Sequence, residues 1–194
     1  MKMYLTLGSE SLKDNADALA EAIRCSALME NERGEVELLL TRLSDRLLEL
    51  FILGHISGVD PEHYEEKITP LDGGLRIEEA GEVIEHQCCS EFDDYKCWEF
   101  ILERQDSSWS EIWIGHPWIY YRIDGPLIYL SDYRELTPIS MVFRFAFDKE
   151  TFFAMLRARL YEAQIFKRRL QKLVQQGSFQ NKEGLLNSLV HLQL

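Results

Sequence analysis

The chain has 194 residues, 46% of them hydrophobic, with four Trp, eight Tyr and ten Phe. That is enough apolar material for a substantial core, and four Cys are too few to staple a chain of this size, so a disordered chain and a disulfide scaffold are both excluded. A net charge of −12 disfavours nucleic-acid binding, which draws its strength from Lys and Arg neutralising phosphates, and suits a basic protein partner.

The chain opens with Tyr4–Leu7, a weakly alternating segment expected to form a strand. Asn15 caps a helix presenting Leu12, Ala16, Leu19 and Ile23, and that helix is expected to end near Asn31 to Gly34. Val36, Leu39, Leu40, Leu43, Leu47, Leu50 and Phe51 recur at helical intervals, which predicts one amphipathic helix closed by Gly54. Asp60-Pro61-Glu62 reads as a cap and first turn of a short helix, because proline at the first helical position loses no needed hydrogen bond.

From residue 71 the texture changes to short β-branched and aromatic runs separated by the turn signals Asp72-Gly73-Gly74 and Asp124-Gly125-Pro126. Strands are expected at Leu75–Glu78, Val83–Cys89, Cys97–Glu103, Glu111–Ile114, Trp118–Ile123 and Leu127–Leu130, joined closely enough for an antiparallel meander. Alternation over Met141–Phe147 places Phe143, Phe145 and Phe147 on one face and Arg144 on the other. Asp148 caps a long helix to about Lys172, with the stripe Phe152, Leu156, Leu160, Ala163 and Leu170. Gly177-Ser178 ends it, and Leu185, Leu186, Leu189 and Leu192 mark a short terminal helix.

The expected fold is therefore α+β in one domain over residues 1–194: a mainly helical part (1–70), a central antiparallel β-meander (71–147), and C-terminal helices (148–194), the long one packed on the sheet. No apolar run approaches the ~20 residues that cross a bilayer, and the N-terminus lacks a signal-peptide core. A cytoplasmic protein with Cys25, Cys88, Cys89 and Cys97 as thiols is expected.

Charge is uneven. Residues 144–194 hold nine Lys and Arg against four Asp and Glu, whereas the rest holds 12 against 29. Arg157, Arg159, Lys167, Arg168, Arg169 and Lys172 make the long helix basic, a charged face that the acidic body partly neutralises.

The densest group of soft ligands is His86, Cys88, Cys89 and Cys97, residue types that tetrahedral zinc prefers. Adjacent Cys88 and Cys89 point to opposite sides of an extended strand, unlike the ~2–4-residue spacing of a zinc knuckle, so packing beside a strand competes with metal binding. Glu91, Asp93 and Asp94 form an acidic loop, read either as a solvated turn or as a cation-binding or partner-binding element. Trp113, Trp118, Tyr120 and Tyr121 belong to an aromatic block with large side chains on both faces of a strand. Either two layers cover the sheet or some rings are left for a partner. No phosphate-cradling glycine loop, nucleophile elbow or zinc-protease motif occurs.

Cys88-Cys-Ser-Glu-Phe-Asp-Asp-Tyr-Lys-Cys-Trp98, Ile112-Trp-Ile-Gly115 and Phe143-Arg-Phe-Ala-Phe-Asp148 resemble a group of bacterial proteins of similar size. Those proteins carry a Cys–Gly knuckle, a Val-x-Trp strand and a Phe-x-Phe-Asp before a final helix. The present chain lacks the knuckle glycines and doubles the cysteine. The resemblance spans about residues 71–165 and implies a bacterial cytoplasmic domain, with no activity to carry over. The combined expectation is a non-enzymatic protein-binding module without a required cofactor, similar in its smallness and acidity to immunity proteins that neutralise basic toxins. The alternative is a zinc domain or metal-dependent enzyme built on Cys88, Cys89, Cys97 and His86 or His116.

Overall fold

The structure is a computed structural model that describes residues 1–12, 15–31, 34–104, 107–135 and 142–190. It is an α+β fold with two antiparallel sheets and a long C-terminal helix. In chain order the elements are β1 (Lys2–Gly8), α1 (Ala16–Arg24), β2 (Leu28–Glu30), β3 (Val36–Leu39), α2 (Asp45–His55), α3 (Tyr64–Lys67), β4 (Gly73–Glu79), β5 (Glu82–Ile84), α4 (Glu99–Glu103), β6 (Ser110–Ile112), β7 (Ile119–Asp124), β8 (Leu127–Ser131), β9 (Phe143–Asp148), α5 (Lys149–Gln176) and α6 (Lys182–Leu189). The strands are ordered β2-β3-β1-β4-β5 in one sheet and β6-β7-β8-β9 in the other. Among the described residues no helix is long and apolar enough to cross a membrane.

Contacts divide the chain into two compact units. The first comprises Met1–Tyr4 and Gly74–Tyr161, the second Leu5–Gly73 and the chain from Glu162 onward, so β1 and α5 each run through both.

In the second unit, α1 starts where the Asn15 side chain accepts from the Ala18 amide at 3.0 Å. The helix buries Ala18 and Ala22 and leaves Leu19 and Ile23 exposed, Ile23 at 61%. The expected stripe is thus one residue out of phase. Polar contacts set the rotation: Asn15 Nδ2 donates to the Leu50 carbonyl at 3.3 Å and Ser44 Oγ donates to Glu21 Oε1 at 2.7 Å. Small alanines then let α1 and α2 pack closely. The helix also ends at Arg24, ahead of the expected Asn31.

The run expected as one helix over Val36–Phe51 is split. Val36–Leu39 is a strand, paired through Leu38↔Leu7 with β1 and through Leu38↔Leu28 with β2. The helix restarts only where Ser44 Oγ accepts from the Leu47 amide at 3.0 Å. Pairing with strands distant in sequence overrode a helical period, as tertiary context does to a weak local preference.

In the first unit, β6 to β9 form the expected meander. Phe145 and Phe147 are buried, and Phe147 stacks on Phe152 of α5 at 5.6 Å. Phe143 departs from the expected face. A register shift at Leu130/Ser131 pairs Ser131 with Phe143. A one-residue offset sends a side chain to the other side of a sheet, and Phe143 packs edge-on against Tyr129 at 5.0 Å, 52% exposed. The long helix follows its predicted stripe: Phe152, Leu156 and Leu160 are buried in this unit, and Ala163 and Leu170 in the other. Arg159 Nη1 donates to the Met3 carbonyl at 3.4 Å, tying α5 to β1. Leu185, Leu186 and Leu189 are buried on α6; Met141 and Leu192 lie outside the described residues.

The expected strand at Cys97–Glu103 is helical: Phe92–Trp98 is a 3-10 turn running into α4. The overlooked signal is the capping box Glu91-x-x-Asp94, in which the Asp94 carboxylate accepts the Glu91 amide at 2.9 Å. The strand expected over Val83–Cys89 stops at Ile84, leaving a single bridge between Cys88 and His116.

Candidate functional site

In the first unit, two irregular segments, 85–98 and 113–118, meet and collect most of the residues singled out from sequence. The Gln87 amide donates to the Ile114 carbonyl at 2.6 Å and the His116 amide to the Cys88 carbonyl at 2.9 Å. The Cys88 thiol donates to the His116 carbonyl at 3.0 Å. Gly115 permits this approach: its φ is +93°, and a Cβ there would stand 2.5 Å from the carbonyl oxygens of both Gln87 and Cys88. The His116–Pro117 peptide bond is cis. Trp118 is then anchored by paired backbone hydrogen bonds with Arg134, at 2.7 and 3.1 Å.

These constraints assemble an aromatic corner. Trp113 and Trp118 stack at 6.2 Å and 28°, and the exposed His116 ring stands edge-on to Trp118 at 5.4 Å. Both indoles are partly exposed, and both N–H groups are held: Trp113 Nε1 donates to Asp94 Oδ2 at 3.1 Å and Trp118 Nε1 to the Tyr120 hydroxyl at 3.2 Å. Tyr120 in turn donates to Glu111 Oε2 at 3.4 Å. Geometry of this kind leaves apolar ring surface toward solvent with its polar atoms already satisfied and flanked by carboxylates.

Tyr120 and Tyr121 sit on opposite faces of β7 and both are buried. Tyr121 lies away from the corner, with the Arg104 guanidinium 5.9 Å from its ring centre. Both alternatives left open by the alternation therefore hold: each face of β7 is covered at the tyrosines, while Trp113 and Trp118 reach the surface. Asp94 holds the Trp113 indole, and Glu91 caps the same turn. Asp93 turns inward and pairs with Lys96 Nζ at 2.9 Å. Burial raises the Asp94 carboxyl above its ordinary range, partly opposed by the hydrogen bonds from Glu91 and Trp113. Tyr95 is pushed up to about 12, by burial first and then by Asp93 and Glu99.

The four soft ligands occupy unlike environments. His86 is buried and, with Gly74, Ser90, Asp94, Trp98 and Trp113, lines a cavity of about 10 Å³, barely the ~10–15 Å³ that one water needs. Cys97 is half-buried on the 3-10 turn, its thiol raised by burial and by the nearby Asp94 charge. Cys88 and Cys89 are exposed. The extended backbone assumed for them does not occur: Cys89 has φ +65°, and the neighbouring Cys88 side chain raises the Cys89 pKa. Among the described residues, no group of three or more His, Cys, Asp or Glu side chains is arranged to hold a metal ion.

The same unit holds a buried ion pair that the sequence does not advertise. Arg76 Nη1 donates to Glu85 Oε2 at 2.6 Å and its Nε to Glu78 Oε1 at 2.9 Å, while the Glu85 amide donates to the Tyr133 hydroxyl at 3.0 Å. The signal available for the corner itself was the tight Gly115-His116-Pro117 step between two aromatic runs. Comparison with family models, with curated proteins and with solved structures returns no match, so the site stands on its own geometry.

Proposed function

We propose that this protein is a non-enzymatic protein-binding module whose contact face is the corner formed by Trp113, His116 and Trp118, and that its partner is a basic protein. One observation carries the reading: two stacked indoles are presented at the surface in a fixed orientation, their N–H groups already bonded to Asp94 and Tyr120. Rigid, partly exposed Trp pairs of this kind make good binding anchors because they bury large area with little loss of side-chain freedom. The net charge of −12 supplies long-range attraction for a cationic partner and speeds the encounter. Within this class, neutralisation of a basic toxin by an immunity-type protein is the narrower reading that smallness and acidity suit.

The test is capture by the tagged full-length chain in lysate of its source cell, repeated with Trp118→Ala after circular dichroism has established that the variant is folded. A basic protein should be retained by the parent chain, released as salt is raised, and lost or weakened by about 2 kcal/mol in the variant, the size of a binding hot spot. A partner retained equally by parent and variant, or no partner, overturns the assignment of the corner.

A further inference from the structure

We infer that the aromatic corner is a receptor for one arginine side chain of the basic partner, the guanidinium lying over the indole surface of Trp113 and Trp118 and donating to the Glu111 carboxylate. The inference rests on the protein-binding reading of the corner and names the group that this face reads.

An indole is negative on its ring face and positive at its edge. At the corner the positive edges are already spent, because Trp113 Nε1 donates to Asp94 Oδ2 at 3.1 Å and Trp118 Nε1 to the Tyr120 hydroxyl at 3.2 Å. Tyr120 passes the network on to the exposed Glu111, whose Oε2 accepts at 3.4 Å. A ligand therefore meets ring surface, with a carboxylate two hydrogen bonds from the Trp118 nitrogen. A planar cation that carries only donors complements that combination.

The same unit builds this arrangement from its own residues. Arg122 lies over the rings of Trp109 and Tyr129, at 5.5 and 5.0 Å, and its Nη2 donates to Asp124 Oδ2 at 3.4 Å. Arg144 lies over Phe145 and Tyr133, at 5.3 and 5.9 Å, and its Nε donates to Glu82 Oε2 at 2.8 Å. Each guanidinium covers two rings and bonds one carboxylate. The corner supplies the rings and the carboxylate, and among the described residues no guanidinium of the chain lies over Trp113 or Trp118. Arginine suits the place better than lysine, since its guanidinium is flat, weakly hydrated and forked to match a carboxylate, whereas an ammonium holds its water tightly.

The experiment titrates the isotope-labelled full-length protein with acetyl-Gly-Arg-Gly-amide and follows the indole N–H resonances, those of the corner assigned with Trp113→Phe and Trp118→Phe. The lysine peptide and the citrulline peptide, which keeps the plane and loses the charge, are the controls. The arginine peptide should shift the Trp113 and Trp118 resonances and leave that of the buried Trp98 in place. The lysine peptide should bind more weakly and the citrulline peptide should leave both resonances unmoved. Glu111→Gln keeps an acceptor for Tyr120 and should weaken the arginine peptide by about 2–5-fold, the worth of an exposed ion pair. Equal shifts from citrulline, equal or tighter binding of lysine, unmoved Trp113 and Trp118 resonances, or unchanged affinity in Glu111→Gln would each overturn the inference. Capture from lysate separates it from the broader reading. A partner lost in Trp118→Ala, with no response to the arginine peptide, sinks only the arginine chemistry; an arginine response with no captured partner keeps that chemistry and sinks the assignment of a protein partner.

Discussion

Replacing Gly115 by alanine is the perturbation that most directly probes how the corner is built. Two costs are separable. An L-residue held in a left-handed conformation loses about 1–2 kcal/mol, and the structure holds Gly115 at φ +93°. The new Cβ would also lie 2.5 Å from two backbone carbonyl oxygens, those of Gln87 and Cys88, so the strands of the bridge must part. Parting them weakens the Gln87–Ile114 and Cys88–His116 backbone hydrogen bonds, each worth about 1 kcal/mol net. The expected loss is about 3–4 kcal/mol from these two sources. Gly81 supplies the control: its φ is +88°, yet a Cβ there meets nothing within 4 Å. Gly81→Ala should therefore cost only the conformational part, about 1–2 kcal/mol. Urea unfolding followed by tryptophan emission and by circular dichroism, with unchanged m-values, measures both. Equal losses for the two variants would refute the claim that close backbone approach at Gly115 assembles the site.

Glu85→Ala should cost about 3 kcal/mol by taking the buried carboxylate from Arg76 Nη1 and leaving the guanidinium with Glu78 alone, and Arg76→Met/Glu85→Leu should recover most of it; urea midpoints decide, and a loss under about 1 kcal/mol contradicts the buried pair. The Asp94 carboxyl, raised chiefly by burial, binds its proton more tightly folded than unfolded. Folding stability thus falls as pH rises from the unfolded to the folded pKa, and ionised Asp94 is a net cost above both. A pH titration of tryptophan emission should show a transition above the ordinary carboxylate range that Asp94→Asn abolishes, because Trp113 Nε1 reports the group. On α1, Ile23→Lys should change stability by less than about 0.5 kcal/mol, whereas Ala22→Leu should cost about 1–3 kcal/mol by overpacking; thermal melts giving the reverse order would restore the helix face expected from sequence.

Elements whose information is local could be read from the sequence: α5 with its 152-156-160-163-170 stripe, the caps at Asn15 and Asp60, the β7–β8 hairpin around Gly125, and α6. Elements decided at a distance are not legible in their own segments. Val36–Leu39 carries a helical period, but its partners are Leu7 and Leu28, and nothing in the segment announces them. The rotation of α1 rests on hydrogen bonds to Leu50 and Ser44, again invisible in the helix itself. For the candidate site, Trp113, Trp118, Tyr120, Asp94, Cys88 and Cys89 were identifiable as residue types. Their convergence was not, because it depends on Gly115 meeting the backbone of residues 87 and 88.

Taken alone, then, the amino-acid sequence determined the α+β class, the acidic character and the identity of the side chains able to do chemistry, since composition and short-range periodicity carry those properties. Only the tertiary structure decided which faces became core, that Cys89 takes a left-handed backbone beside Cys88, and that two tryptophans stack at the surface. Those outcomes arise from single backbone torsions, at Cys89 and Gly115, and from strand pairings between residues far apart in the chain, where burial and hydrogen bonding outweigh local preference.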